Sequence, residues 1–175
     1  MGGQPRSIAL VGLSGSGKTT VARVLAEQLA MPLADTDALL ADREGLPTAV
    51  LLTTRGEPVF RELEAAVLAE ALGGPPQIVA TGGGIVLREA NRALLRERAF
   101  VVWLDASDPV LLARLRADTY ERPLLAGDAA ARLAALRAAR AARYASVARL
   151  RITTDGLSPA DVAARIVAVY RTDVL

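Results

Sequence analysis

The sequence predicts an α/β fold, a three-layer α/β/α sandwich around a five-stranded parallel sheet. Short apolar runs alternate with amphipathic helical stretches along the chain, a pattern that favours a parallel sheet with helices on both faces. The chain has 175 residues, of which 52% are hydrophobic, so it is long enough for one well-buried domain and short for two. We therefore expect a single domain over residues 1–175.

The first half of the chain supplies three strands and three helical stretches. The strands are predicted in the segments RSIALVG, MPLAD and PPQIVAT. The helices are predicted over 18–30, over 37–54 with a break near EGLP, and over 57–72. The first and third of these stretches have apolar residues three to four positions apart, which places them on one helical face.

The second half continues the alternation. The segment AFVVWLD is apolar throughout, and we expect it to be a central strand, while ARLRITT is the fifth strand. Residues 117–127 lose periodicity and predict a loop. Helices are predicted near 87–97, after Ser107-Asp108-Pro109, from a cap at Asp128 to about 146, and after the capping box at 158–161.

The composition restricts the chemistry. Cysteine and histidine are both absent. Their absence excludes disulfides, thiolate chemistry, histidine-assisted catalysis and nearly every transition-metal site. A general base therefore has to be a carboxylate or, less readily, a tyrosine or the lysine.

Charge and hydropathy patterns indicate neither a nucleic-acid partner nor a membrane partner. The net charge is +2, and the arginines are scattered rather than clustered. No apolar run approaches the ~20 residues that span a bilayer. The apolar core near the N-terminus is also too short for a secretory signal, so we expect a cytoplasmic protein.

Residues 12–20, GLSGSGKTT, match the phosphate-binding pattern G-x-x-x-x-G-K-[ST] directly after the first predicted strand. Backbone N–H groups and the positive end of the following helix hold the phosphates of a nucleoside triphosphate in such a loop. Lys18 is the single lysine among 21 basic residues and supplies a compact charge, and Thr19 supplies a hydroxyl to Mg²⁺. The expected nucleotide contacts are Gly12, Leu13, Ser14, Gly15, Ser16, Gly17, Lys18, Thr19 and Thr20.

The second magnesium contact should be an acid at the end of a neighbouring strand. Asp35 follows the apolar segment MPLA, and Asp105 follows VVWL. Asp105 fits the simple rule better, but it also fits a cap on the next helix. Spacing alone does not decide whether Asp35 or Asp105 is the magnesium contact.

Excluding two classes of nucleotide-binding protein narrows the choice of what accepts the phosphate. A GTPase needs a further lysine in an N-K-x-D motif, and the L-S-G-G-Q signature of transporter ATPases is absent. A small kinase or a domain that only binds nucleotide remains. Five further polar clusters bear on this choice: DTD at 35–37, FR at 60–61, TGGG at 81–84, RPLL at 122–125 and RAARY at 140–144.

In order and spacing behind the phosphate loop, these clusters resemble the shikimate kinase family over residues 7–172. The resemblance implies a P-loop kinase fold of the nucleoside-monophosphate-kinase type, with a substrate-binding region near 36–64 and a mobile lid near 117–127. It implies ATP-dependent phosphorylation of the 3-hydroxyl of shikimate, a step of the chorismate pathway to aromatic amino acids. Magnesium is the implied cofactor, ATP and shikimate are the implied small-molecule substrates, and we expect a monomer.

The resemblance also implies catalytic roles. Asp35 becomes the magnesium partner, often through water, and Asp105 becomes a cap. Asp37 holds the shikimate hydroxyls and acts as the base or orienting group for the attacked one, which suits a chain without histidine. Arg122 moves in with the lid, contacts ATP and neutralises charge on the transferring phosphoryl group.

The substrate-binding residues follow in the same way. Arg61 and Arg140 clamp the shikimate carboxylate, which guanidinium groups bind bidentately. The glycines Gly82, Gly83 and Gly84 let the backbone approach the ring where a Cβ would clash. Arg61 has a structural alternative, since Glu57 lies four residues earlier on the same helix and can pair with it.

Several departures and rival functions stay open. RAARY lacks the proline of the family's Arg-Asn-Pro-Leu-Tyr motif and adds Arg143, and Leu52 replaces an aromatic residue common in the family. Either Arg114 or Arg116 flanks adenine. The rivals are a related small kinase, such as a gluconate or nucleotide kinase, and a non-catalytic nucleotide-binding protein.

Overall fold

Five parallel strands form one sheet in the part of the chain that this computed structural model describes, residues 6–117 and 128–174. The strands are β1 (Ser7–Val11), β2 (Leu33–Asp35), β3 (Ile78–Ala80), β4 (Ala99–Asp105) and β5 (Leu150–Thr153). Their order across the sheet is β2-β3-β1-β4-β5. The fold class and the strand count predicted from the sequence are confirmed.

The same residues form eight α-helices, which connect the strands and cover both faces of the sheet. They are α1 (Lys18–Leu29), α2 (Thr36–Glu44), α3 (Thr48–Arg55), α4 (Glu57–Gly73), α5 (Glu89–Arg98), α6 (Asp108–Ala117), α7 (Ala129–Val147) and α8 (Pro159–Val174). A 3-10 turn at Ile85–Leu87 follows the glycine run after β3. None of these helices is long and apolar enough to cross a membrane.

AFVVWLD forms β4, an interior strand as expected, and the middle strand of the sheet is β1. Ile8 pairs with Ile78 of β3 on one side and with Phe100 of β4 on the other. β4 lies between β1 and β5, so both its edges are paired and all seven of its residues are buried. A continuous apolar run therefore indicates an interior strand, of which this sheet has three, and does not identify the middle one.

Side chains alternate between the two faces of the sheet. In β1, Ala9 and Val11 join the core on one face, whereas Ile8 and Leu10 join the core on the other. α1 and α8 cover the Ile8 face, and α4, α5 and α7 contribute to the Val11 face. A small third cluster, Leu40, Leu51, Phe60 and Val67, packs α2 and α3 against α4.

The predicted helix boundaries are largely confirmed. The break near EGLP is real, because α2 ends at Glu44, its C-cap Gly45 is in the left-handed region (φ 67°), and Pro47 precedes α3. The Asp128 carboxylate accepts from the Ala131 N–H at 3.0 Å, and the Ser158 hydroxyl accepts from the Asp161 N–H at 3.1 Å. The predicted loop at 117–127 lies, apart from Ala117, outside the described residues.

Candidate active site

The phosphate-binding loop connects β1 to α1 at the carboxyl edge of the sheet. Gly12, Gly15 and Gly17 all have positive φ angles, which only glycine adopts without strain. An added Cβ on Gly12 would lie 2.2 Å from the backbone oxygen of Leu104, so the loop packs directly on the end of β4. The sequence pattern thus forms the strand–loop–helix context that binds phosphates.

The side chains of Lys18 and Ser16 are buried within this loop. The Lys18 ammonium donates to the backbone oxygens of Gly12 at 2.9 Å and Leu13 at 3.0 Å, and it is 9% exposed. The Ser16 hydroxyl is buried and has no hydrogen-bond partner among the described residues. Leu13 places its side chain in the core, which leaves only its backbone for a ligand.

Thr19 and Asp35 meet beside the loop. The Thr19 hydroxyl donates to Asp35 Oδ2 at 2.8 Å. Asp35 Oδ1 caps α2 by accepting from the N–H groups of Asp37 at 3.1 Å and Ala38 at 3.3 Å. The cap fixes the carboxylate so that its second oxygen faces the threonine.

Asp105, the other candidate acid, is engaged elsewhere. Its carboxylate accepts from Arg137 at 2.8 Å, from Arg151 at 2.7 Å and from the Ala106 N–H at 2.9 Å. Burial alone would raise its pKa, but the hydrogen bonds from the two arginines hold the pKa of Asp105 below its ordinary value of 3.8. Asp105 does not form the helix cap that the resemblance implies, because the backbone N–H it accepts from is that of Ala106, before α6 begins at Asp108. Its carboxylate instead ties β4 to β5 and α7.

A cavity of about 870 Å³ lies next to the loop, between the sheet edge and helices α2, α3, α4 and α7. Every predicted acceptor residue within the described ranges lines it: Asp37, Arg61, Gly82, Gly83, Gly84 and Arg140. These residues follow β2 and β3 or lie on α4 and α7, so four segments far apart in the sequence converge here. Leu52, which stands where the family commonly has an aromatic residue, lines the wall on α3.

The three glycines make room for the charged side chains of the cavity. A Cβ on Gly82 would lie 2.8 Å from both Asp37 Oδ1 and Glu64 Oε1. A Cβ on Gly84 would lie 2.2 Å from Arg61 Nη1. That the glycines also admit the substrate ring stays a prediction, and the side chains that approach Gly82 and Gly84 are the protein's own charged groups.

Arg61 pairs with two acids on its own helix. Its guanidinium donates to Glu64 at 2.8 Å and to Glu57 at 3.3 Å. The Glu57 side chain is 64% exposed and the Glu64 side chain 2% exposed. A solvent-exposed ion pair contributes little to stability, so Glu64 is the acid that fixes Arg61. The pairing with Glu57 is present as well, and it does not prevent Arg61 from lining the cavity.

Glu64 is a site residue that the sequence reasoning missed. Burial raises its pKa, the charge and hydrogen bond of Arg61 oppose the rise, and the charge of Asp37 adds to it. The available signal was a lone acid on the otherwise apolar buried face of α4, because a buried carboxylate needs a partner.

α7 carries Arg140 into the cavity. Arg140 is 8% exposed, whereas Arg143 is on the exposed side of the helix and donates to the backbone oxygen of Ala139. The missing proline leaves α7 continuous from Ala129 to Val147. The two departures in RAARY therefore do not alter the residues that line the cavity.

Arg114 is the arginine next to the phosphate loop. It donates to the backbone oxygen of Gly15 at 3.2 Å and to the Thr154 hydroxyl at 3.0 Å, whereas Arg116 is exposed. Arg122 and the rest of the RPLL cluster lie outside the described residues. Within the described ranges, no three acidic side chains converge as an all-protein metal site would require.

Comparison with known proteins assigns the family. The model of the shikimate kinase family matches residues 14–171 of this chain. A shikimate kinase from Symbiobacterium thermophilum is 49% identical over 162 residues, covering 91% of this chain and 93% of the relative. A shikimate kinase from Geobacter sulfurreducens is 43% identical over 167 residues, covering 95% and 91%.

Solved structures agree with that assignment. A shikimate kinase from Acinetobacter baumannii in complex with shikimate superimposes with a TM-score of 0.91 at 33% identity, covering 98% of this chain and 96% of the other. A gluconokinase from Sinorhizobium meliloti has a TM-score of 0.67 at 22% identity, covering 98% and 95%, which is a likeness of fold alone. Family model, sequence relatives and fold lead to one conclusion: this chain belongs to the shikimate kinase family.

Proposed function

We propose that this chain transfers the terminal phosphoryl group of ATP to the 3-hydroxyl of shikimate, forming ADP and shikimate 3-phosphate. One observation carries the proposal: Asp37, Arg61 and Arg140 line a single cavity beside a phosphate-binding loop. Family membership and the likeness to a kinase solved with shikimate support it.

The two arginines hold the carboxylate of the acceptor. Arg61 and Arg140 enter the cavity from different helices, α4 and α7, and each is largely withdrawn from solvent. Guanidinium groups bind carboxylates through parallel charge-assisted hydrogen bonds, which are strong at such sites. Glu64, which also lines the cavity, accepts from Arg61 and fixes its orientation before the acceptor arrives.

Asp37 orients the attacked hydroxyl and accepts its proton. It lies at the start of α2, two residues after Asp35, so the acceptor hydroxyl it holds is close to the phosphate loop. Phosphoryl transfer is accelerated mainly by positioning and charge stabilisation, so a carboxylate is a sufficient base. The three glycines leave room for Asp37, Arg61 and Arg140 around the bound ring.

The loop residues Gly12 to Thr20 hold ATP. Lys18 provides the positive charge for the β- and γ-phosphates, and the backbone N–H groups provide the remaining donors. A buried hydroxyl without a partner is unfavourable by about 1–3 kcal/mol, and a phosphate oxygen would satisfy that of Ser16. Arg114 borders the nucleotide site, and Arg122 is proposed from the family resemblance to neutralise charge on the transferring group.

Thr19 and Asp35 suit a magnesium ion. A hydroxyl and a carboxylate oxygen are hard ligands, and Mg²⁺ at kinase sites takes few protein ligands besides water and phosphate oxygens. When bound, the ion neutralises charge on the β- and γ-phosphates. Thr19 and Asp35 would hold the ion between them.

The wider setting follows from the same function. We propose one kinase domain over residues 1–175, with a substrate-binding region at 36–64 and a lid near 117–127. The enzyme then acts as a cytoplasmic monomer in the chorismate pathway to aromatic amino acids.

The experiment is an ADP-release assay with ATP and a panel of acceptors. Shikimate should stimulate ADP release, whereas gluconate and nucleoside monophosphates should leave the rate at the level without acceptor. Turnover on another acceptor with no stimulation by shikimate would overturn the proposal.

A further inference from the structure

Tyr144 is a large buried side chain that the proposed mechanism does not use. It is 1% exposed and packs in the core beneath the cavity, with its ring centroid 5.8 Å from that of Trp103. Its hydroxyl donates to the backbone oxygen of Gly83 at 2.5 Å, although the two residues are 61 positions apart. One polar atom of the core is thus directed at the glycine segment that lines the cavity.

Tyr144 also adjoins Arg140. The two residues are four positions apart on α7 and so lie on one face of the helix. An added Cβ on Gly83 would lie 3.3 Å from Arg140 Nη1, so the guanidinium rests against the same glycine whose oxygen binds Tyr144. The hydroxyl, the Gly83 peptide and the Arg140 guanidinium therefore adjoin one another.

The hydroxyl remains a donor under working conditions. Burial raises the pKa of Tyr144 to about 12, and the positive charge and hydrogen bond of Arg140 oppose the rise. A neutral phenol keeps its proton and can hold a carbonyl oxygen. Without that proton, the Gly83 oxygen would lose this partner in a glycine segment with wide conformational freedom.

We propose that the Tyr144 hydroxyl is a positioning group for shikimate, which fixes the Gly83 peptide and thereby the placement of Arg140 in the acceptor cavity. The neighbouring glycines extend the effect, because Gly82 borders Asp37 and Gly84 borders Arg61. A single buried hydrogen bond then orders the segment that separates all three acceptor-binding side chains. The inference rests on the proposed function and adds a residue to it.

The test is Tyr144→Phe, which removes the oxygen and keeps the ring. Tyr170→Phe is the matched control. Tyr170 is also buried, its ring packs at 5.5 Å on Phe100, and its hydroxyl donates to the Arg6 backbone oxygen at 2.7 Å. It lies in the core on the other face of the sheet, away from the cavity.

Both variants are compared with the wild type for the KM of shikimate, the KM of ATP, kcat and the melting temperature. Calorimetric titration gives the Kd for shikimate of each variant. Tyr144→Phe should raise the KM and Kd for shikimate about tenfold, and it should leave the KM for ATP within about twofold. Tyr170→Phe should leave both substrate constants unchanged, whatever its effect on the melting temperature.

The inference would be overturned by an unchanged shikimate KM in Tyr144→Phe, by an equal rise in its KM for ATP, or by an equal rise in the shikimate KM of Tyr170→Phe. Each would make the hydroxyl a part of the core only, as would failure of Tyr144→Phe to fold. A wild-type protein that does not phosphorylate shikimate would instead refute the proposed function and this inference with it. The two failures are therefore distinguishable.

Discussion

Replacing Gly84 by alanine should displace Arg61 without disturbing the fold. The added Cβ would lie 2.2 Å from Arg61 Nη1 and 2.6 Å from Cζ. Because non-bonded heavy atoms settle at about 3.5 Å or more, the guanidinium has to move by about 1.3 Å. The backbone at Gly84 has φ −91° and ψ 0°, which alanine adopts, so the clash falls on the arginine side chain.

The displacement should cost shikimate affinity. It breaks the 2.8 Å bond to the buried Glu64, and a hydrogen bond between charged groups contributes about 1.5–3 kcal/mol. If that energy is lost from acceptor binding, the KM for shikimate rises about 10- to 100-fold. Stability should change less, because alanine in place of glycine stabilises by about 0.4–1 kcal/mol through the unfolded chain and offsets part of the loss.

The assay is steady-state kinetics with each substrate varied in turn, together with thermal unfolding. Gly73→Ala is the matched control, since an added Cβ there has no atom within 4 Å. It should leave the KM for shikimate unchanged. An unchanged shikimate KM in Gly84→Ala would refute the reasoning, because Arg61 would then either tolerate the displacement or take no part in binding.

Asp37→Asn should lower kcat by about 10²- to 10⁴-fold while ATP binding measured by calorimetry stays intact, and an unchanged rate would remove Asp37 from the chemistry. Arg140→Ala should raise the KM for shikimate, whereas Arg143→Ala, three residues further on the exposed side of α7, should not; equal effects would contradict the carboxylate clamp. Asp105→Asn should lower the free energy of unfolding by about 2 kcal/mol, a fall of about 4–8 °C in Tm. Because the folded pKa of Asp105 is depressed, this difference from the wild type should be fully present above the ordinary value of 3.8 and disappear as the pH falls through the folded pKa. A difference that grows on acidification would contradict the assignment of the ion pairs.

Much of the site could be predicted because its residues follow strands directly. The phosphate loop comes after β1, Asp35 and Asp37 lie at the end of β2, and Gly82 lies two residues after β3. Neighbouring parallel strands present their carboxyl ends at one edge of the sheet, so residues at these positions meet there whatever their separation along the chain.

Residues whose role depends on long-range packing were harder to predict. Glu64 is spaced like an ordinary surface partner of Arg61, and its burial arises only where α4 packs against Gly82. Asp105 binds arginines 32 and 46 residues away, on α7 and β5, which no local pattern contains. The middle position of β1 likewise depends on which strands pair across the sheet.

The role of the glycine run at 82–84 likewise could not be derived from the sequence alone. The letters TGGG indicate a tight backbone after β3, but they do not tell what approaches it. The charged side chains that do approach belong to α2, α4 and α7, and their arrival depends on how these helices pack.

The most direct test of the central claim is to identify the phosphorylated product. Purified protein is incubated with ATP, magnesium and shikimate, ADP is quantified, and the product is examined by mass spectrometry and phosphorus–proton coupling. The account predicts ADP and shikimate monophosphate in equal amounts, with the phosphorus coupled to the proton on the carbon that bears the 3-hydroxyl. ADP release that is the same with and without shikimate, or phosphate on another position, would contradict it.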